Sequence, residues 1–110
     1  MDARSVVGEE RQNAPVEAGT WTFLTNHSHV LICLARDPRL RLRDLADQVG
    51  ITERAVQGIV NDLEAAGCLT RHREGRRNRY DIVHDRPMRH QVEGQHVVGD
   101  LLDVMVPTAT

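Results

Sequence analysis

The stretch LRDLADQVGITERAVQGIVN, residues 42–61, constrains the fold most. Leu45, Ala46 and Val49 fall on one face of a short helix ending at Gly50, a residue that accepts the left-handed conformation of a helix terminus. Ile51 is an apolar plug in the turn. Thr52 is an N-cap residue for a second helix predicted over 53–66, and Gly67 closes that helix. Val56, Ile59, Val60 and Leu63 recur at i, i+3, i+4 and i+7, an apolar stripe at helical period. Two short helices joined by a three-residue turn containing glycine must cross at a sharp angle around a shared core. Ala46 is small where they cross.

The flanking segments extend this unit. Thr25 or Asn26 caps a preceding helix running to about Arg36, whose apolar run Val30–Ala35 fits burial on most sides. Asp37-Pro38 ends it. Trp21, Phe23 and Leu24 alternate as in an extended segment, and Leu40-Arg41-Leu42 reads as a short strand. After Gly67, two β-capable runs, 68–73 and 79–83, flank a turn with Gly75 and Asn78, the signature of a hairpin. Leu69, Tyr80 and Ile82 pin its base to the core. A last helix is expected over about 92–105, ended by Pro107, with Val98, Leu101, Leu102 and Met105 as its stripe.

The expected organisation is a flexible arm at 1–19, one compact domain at 20–86 and a C-terminal helical element at 87–110. A chain of 110 residues has enough apolar residues for one core and not for two. The fold class is mainly α with a small β-hairpin, an α+β arrangement in which the hairpin stands as a wing beside a helix-turn-helix.

Charge is divided by region. Residues 36–89 carry twelve Arg against nine acids, while both ends are acidic, within a net charge of −2. A basic middle points to a polyanionic partner. Every fixed cation is Arg, which a GC-rich genome explains as well as function does. Arg54 can donate two hydrogen bonds to guanine O6 and N7, Gln57 can pair with adenine N6 and N7, and Asn61 lies one turn on. Glu53 either accepts from cytosine or complements the helix dipole. Thr52 leaves backbone N–H groups near a phosphate. Arg43 lies on the preceding helix. Arg71, Arg73, Arg76, Arg77 and Arg79 fall within nine residues of the hairpin, beside Asn78. Five cations on a small ribbon repel one another unless a polyanion neutralises them. Double-stranded DNA is the partner this set fits.

The segments WTFLTNHSHVLICLARDP and LRDLADQVGITERAVQGIVNDLEAAGCLTRHREGRRNRYDIV resemble the short bacterial winged helix-turn-helix regulators of the MarR and ArsR superfamily, over about residues 21–83. The resemblance implies a homodimer, a recognition helix beginning at Thr52 and reaching Asn61, a wing at Glu74–Arg79, and repression or modulation of a promoter. The paired-cysteine box of the metal-sensing, ArsR-like members is missing. Trp21, Phe23, Val98, Leu101, Leu102 and Met105 are the expected dimer interface, with a monomer-core role for the two aromatics as the alternative.

Other classes find little support. No Gly-rich phosphate loop, H-E-x-x-H or nucleophile elbow is present, so no enzyme and no cofactor are expected. His27 and His29 stand two apart on different helical faces, which suits capping or packing better than a metal. Cys33 and Cys68 read as small buried hydrophobes, not a disulfide framework. His72, His84, His90 and His96 are scattered. No apolar stretch approaches a membrane span or a signal-peptide core, so a cytoplasmic protein is expected, and no effector is assigned. Three aromatics are too few for a base-stacking platform, which disfavours RNA. The rival reading is a winged-helix protein–protein interaction module whose Arg wing meets an acidic partner.

Overall fold

The structure, a computed structural model, describes residues 21–106; the arm expected at 1–19 and Pro107 lie outside the described residues. Helix α1 spans Asn26–Arg36, α2 Leu42–Val49, α3 Glu53–Ala65 and α4 Val98–Met105. Between α3 and α4 an antiparallel hairpin pairs β1, Leu69–Glu74, with β2, Arg77–Ile82.

Each helix boundary has a local cause. Thr25 Oγ1 accepts the Ser28 N–H at 3.3 Å and starts α1. Five consecutive residues, Val30 to Leu34, are buried, so α1 is covered on most sides. In front of α2 the Arg41 N–H donates to Asp44 Oδ2 at 3.3 Å; the guanidinium has no acceptor, so only this half of a capping box forms. Gly50 takes φ 86°, and its N–H reaches the Ala46 carbonyl at 2.8 Å. Thr52 Oγ1 accepts the Ala55 N–H at 3.0 Å and starts α3. At the far end the Cys68 N–H bonds the Leu63 carbonyl at 2.8 Å and the Gly67 N–H that of Glu64 at 3.0 Å, the paired bonds of a Schellman motif.

The core combines Val30, Leu31 and Leu34 of α1, Leu45 and Ala46 of α2, and Val56, Ile59, Val60 and Leu63 of α3 with Leu69 and Tyr80 of the hairpin. His27 Nε2 lies 2.9 Å from Asp62 Oδ2, tying the start of α1 to α3. Thus His27 has a structural partner on the helix that follows the turn.

Three expectations are corrected. Leu40–Leu42 is not a strand: Leu42 already opens α2, and the loop's one backbone–backbone bond to the hairpin is from the Tyr80 N–H to the Pro38 carbonyl, at 2.9 Å. Trp21–Leu24 forms no strand either; the chain bends at Phe23–Leu24, Leu24 packs on the core, and the Trp21 and Phe23 rings meet edge-to-face with centroids 4.7 Å apart. The last helix begins at Val98, not Val92. A 3-10 turn at Gln91–Glu93 and Gly94 at φ 66° break the run, and Pro87 bridges to Val97.

Gly99 belongs in α4 for a packing reason. Its N–H donates to the His84 carbonyl at 2.8 Å, and an added Cβ would meet that oxygen at 3.0 Å. Asp100 accepts from the Val97 N–H at 3.0 Å and from His96 Nδ1 at 2.9 Å, which holds its carboxyl below the usual aspartate range. Val98 and Leu102 of the expected dimer interface are buried in the chain's own core, because α4 packs on α1. Leu101 is half-buried, while Val104 and Met105 are exposed.

Leu45 is fully buried where α2 meets α3. Leu45→Ala is expected to lower unfolding free energy by about 2–5 kcal/mol in urea titration. A loss under about 1 kcal/mol would contradict the tight crossing.

Candidate nucleic-acid interface

Because Val56, Ile59, Val60 and Leu63 point into the core, α3 turns its remaining residues outward. Thr52, Glu53, Arg54 and Asn61 are exposed and Gln57 is half-buried. Arg54 makes no ion pair or side-chain hydrogen bond among the described residues, and the same holds for Arg43 on α2 and Arg76 at the hairpin loop. These three guanidiniums are free to meet an external partner.

The hairpin differs from the expected five-cation ribbon. Its loop is only Gly75-Arg76, since Glu74 pairs with Arg77 and Asn78 with Arg73. Gly75 has φ 64° and, among the described residues, no non-glycine residue has positive φ, the pattern of a type II′ turn with glycine first. The register puts Leu69, Ile82, Arg71, Tyr80, Arg73 and Asn78 on one face and Thr70, Asp81, His72, Arg79, Glu74 and Arg77 on the other.

On the second face the basic side chains meet acids of the same chain. Arg39 Nε lies 2.9 Å from Glu74 Oε1, Arg79 Nη1 2.9 Å from Asp81 Oδ1, and His72 Nε2 3.1 Å from Asp81 Oδ2. Arg79 Nε sits 3.0 Å from Glu74 Oε2 without hydrogen-bond geometry, so that contact is electrostatic. The hydrogen bond from Arg39, with the charges of Arg39 and Arg79, holds the Glu74 carboxyl below its ordinary value of 4.5 against the opposing effect of desolvation. The same bond raises the Arg39 guanidinium further. Arg77 Nη2 donates to the Arg39 carbonyl at 2.8 Å, so the wing is fastened to the α1–α2 loop. Arg39 was not among the sequence candidates; nothing in its spacing marks a contact 35 residues away.

The first face is also anchored. Arg71 Nη2 donates to Glu64 Oε1 at 2.9 Å and to Asn61 Oδ1 at 3.1 Å, and its guanidinium lies 5.9 Å from the Tyr80 ring centre. Arg71 and Arg79 therefore have intrachain partners. Arg73 Nε donates to the Gly75 carbonyl at 2.8 Å, and Asn78 Nδ2 reaches Tyr80 Oη at 3.5 Å. Arg73, Arg76 and Arg77 keep uncompensated charge at the tip.

Other chemistry is sparse among the described residues. No group of three His, Cys, Asp or Glu converges as for a metal, and no helix is long and apolar enough to cross a membrane. Cys33 and Cys68 are buried free thiols, and burial pushes the Cys33 thiol up. A cleft of about 430 Å³ lies between α1, β2 and α4, lined by Leu34, Tyr80, Ile82, His84 and Leu102 among others. None of the arginines of α3 or the wing tip lines it.

Residues 24–70 match the family described as winged helix-turn-helix DNA-binding. Among solved structures the chain is similar to PcaV, a transcriptional regulator from Streptomyces coelicolor, in complex with its natural ligand. That likeness has a TM-score of 0.51 at 22% identity and covers 98% of this chain and 78% of that one. It is also similar to MepR, a transcription regulator of the Staphylococcus aureus multidrug efflux pump MepA, with a TM-score of 0.49 at 17% identity, covering 94% and 70%. No curated protein sequence matches. The chain thus has a winged helix-turn-helix fold, with its DNA-binding family match across α1, α2, α3 and the start of β1.

The lowered Glu74 value sets a pH window. Its contribution to stability is complete above the ordinary glutamate range and fades as pH falls through the lowered value. Glu74→Gln is expected to be less stable than wild type near neutrality. In thermal melts that gap should narrow as pH falls through the ordinary glutamate range and close only below the lowered value. A gap independent of pH would contradict the ionic fastening.

Proposed function

We propose that this protein is a transcriptional regulator that binds double-stranded DNA in a sequence-specific way. The observation that carries the reading is the outward set at the start of α3, where unpaired Arg54 stands one turn from Gln57 beside the Thr52 cap. Arg is the residue type for guanine O6 and N7, and Gln for adenine N6 and N7, at major-groove depth. Arg43 from α2 and Arg73, Arg76 and Arg77 at the wing tip then take phosphates or the adjacent minor groove.

In this reading the regulator is a bacterial cytoplasmic homodimer and a repressor. The outer face of α4, with Leu101, Val104 and Met105, joins the exposed Trp21–Phe23 pair as the self-association surface. Two-fold symmetry then places two recognition helices on half-sites about 10–10.5 base pairs apart. A bound dimer over a promoter excludes polymerase. No cofactor is assigned.

The second reading is a protein-interaction module, favoured by Glu74 and Asp81, which neutralise part of the wing. The two readings separate in fluorescence anisotropy on upstream duplex against a scrambled duplex, across a salt series. A regulator prefers the upstream duplex at physiological salt; an interaction module binds both weakly and alike.

Arg54→Ala is expected to cost about 1–3 kcal/mol on the preferred duplex and little on scrambled DNA. Arg76→Ala should weaken both and reduce the salt slope by about one. Equal losses for Arg54→Ala on both duplexes would refute base reading, and an unchanged slope for Arg76→Ala would refute the wing contact.

A further inference from the structure

We infer that Arg71 is a specificity-setting positioning residue: through Asn61 it fixes which edge of the Gln57 amide faces the bases. This deepens the proposed DNA reading and rests on it.

Arg71 is held on three sides. Its Nη2 bonds both Glu64 Oε1 and Asn61 Oδ1, and its guanidinium stands over the Tyr80 ring, which is itself buried. Its Nε is buried, and its side chain is 27% exposed. The pairing with Glu64 compensates its charge within the protein. An arginine so enclosed is a poor phosphate contact.

The consequence for Asn61 follows from donor chemistry. Guanidinium groups only donate, so Asn61 must turn its carbonyl oxygen, not its amide nitrogen, to Arg71. That same oxygen also accepts from Gln57 Nε2 at 3.4 Å. Gln57 therefore turns one N–H toward Asn61 and Oε1 outward as an acceptor, with its second N–H left for adenine N7. An acceptor at groove depth selects an exocyclic amine, adenine N6 or cytosine N4, over guanine O6 or thymine O4. Without Arg71, either amide can rotate half a turn at little cost, and the discrimination goes.

The test uses the full-length protein and two variants. Arg71→Met keeps an apolar stem over Tyr80 and removes the donor. Asn61→Leu breaks the relay from the helix side, with the wing sequence intact. Thermal melts first establish that each is folded. Each is then selected against a randomised duplex pool, with binding measured across salt. In DNA-free protein, side-chain amide ¹⁵N relaxation follows Gln57 and Asn61.

The expected result is a roughly tenfold fall, in both variants, in preference for an exocyclic amine at the base facing Gln57. Arg71→Met should keep the wild-type salt slope, and the Gln57 and Asn61 amides, ordered in wild type, should become mobile in it. An unchanged base preference overturns the relay. So does uniform weakening with a salt slope lower by about one, which marks a direct phosphate contact. A wild type with no sequence preference would contradict the proposed function instead. The relaxation measurement would then decide the relay alone: equal amide mobility in wild type and Arg71→Met overturns it, and mobility gained only in the variant supports it.

Discussion

The packing of α2 against α3 around Leu45 and Val56 governs the rest of the structure. Both side chains are fully buried, and Ala46 beside them is small enough to let the helices approach. The turn between them has only Gly50, Ile51 and Thr52 in which to reverse direction. Gly50 supplies the left-handed backbone, Ile51 packs against the core, and Thr52 caps the next helix. Once this crossing is set, the apolar stripe of α3 faces inward, and the outward place of Arg54 and Gln57 follows from helical period. Removing Leu45 therefore disturbs the recognition face without touching it.

The hairpin is organised by charge as much as by apolar contact. Its tip projects Arg73, Arg76 and Arg77, while Glu74 and Asp81 on its second face absorb Arg39, Arg79 and His72. Exposed ion pairs contribute little singly. Their joint effect here is geometric, since Arg39 Nε on Glu74 and the Arg77 bond to the Arg39 carbonyl fix the wing's angle to the α1–α2 loop. Of the five arginines within nine residues of the hairpin, Arg71 and Arg79 pair with acids, Arg77 bonds the Arg39 carbonyl, and Arg73 and Arg76 stand at the tip.

The helix-turn-helix was legible because its signals are local and redundant. Gly50 and Thr52 mark the turn, and the Val56–Leu63 stripe marks the helix, within one short window. The hairpin was legible from its turn residues, although Arg76 and Arg77 could not be divided between loop and strand until the register was known. The partners of the arginines were not legible. Arg39 to Glu74, and Arg71 to Asn61 and Glu64, depend on how the wing docks, which local spacing does not encode. The start of α4 was not legible because the bridge between Pro87 and Val97, which sets where the helix begins, is a tertiary contact that local spacing does not encode. The burial of Val98 and Leu102 is likewise not legible, because a stripe on a terminal helix looks the same whether it covers its own core or a partner's.

Guanine-N7 methylation interference on a selected duplex probes the major-groove placement of α3, because that atom is exposed only there. Interference at one guanine per half-site, with the two half-sites about one helical turn apart, and its disappearance in Arg54→Ala, is the predicted result. A bound complex indifferent to N7 methylation would contradict it, and would place the protein on the backbone or in the minor groove alone.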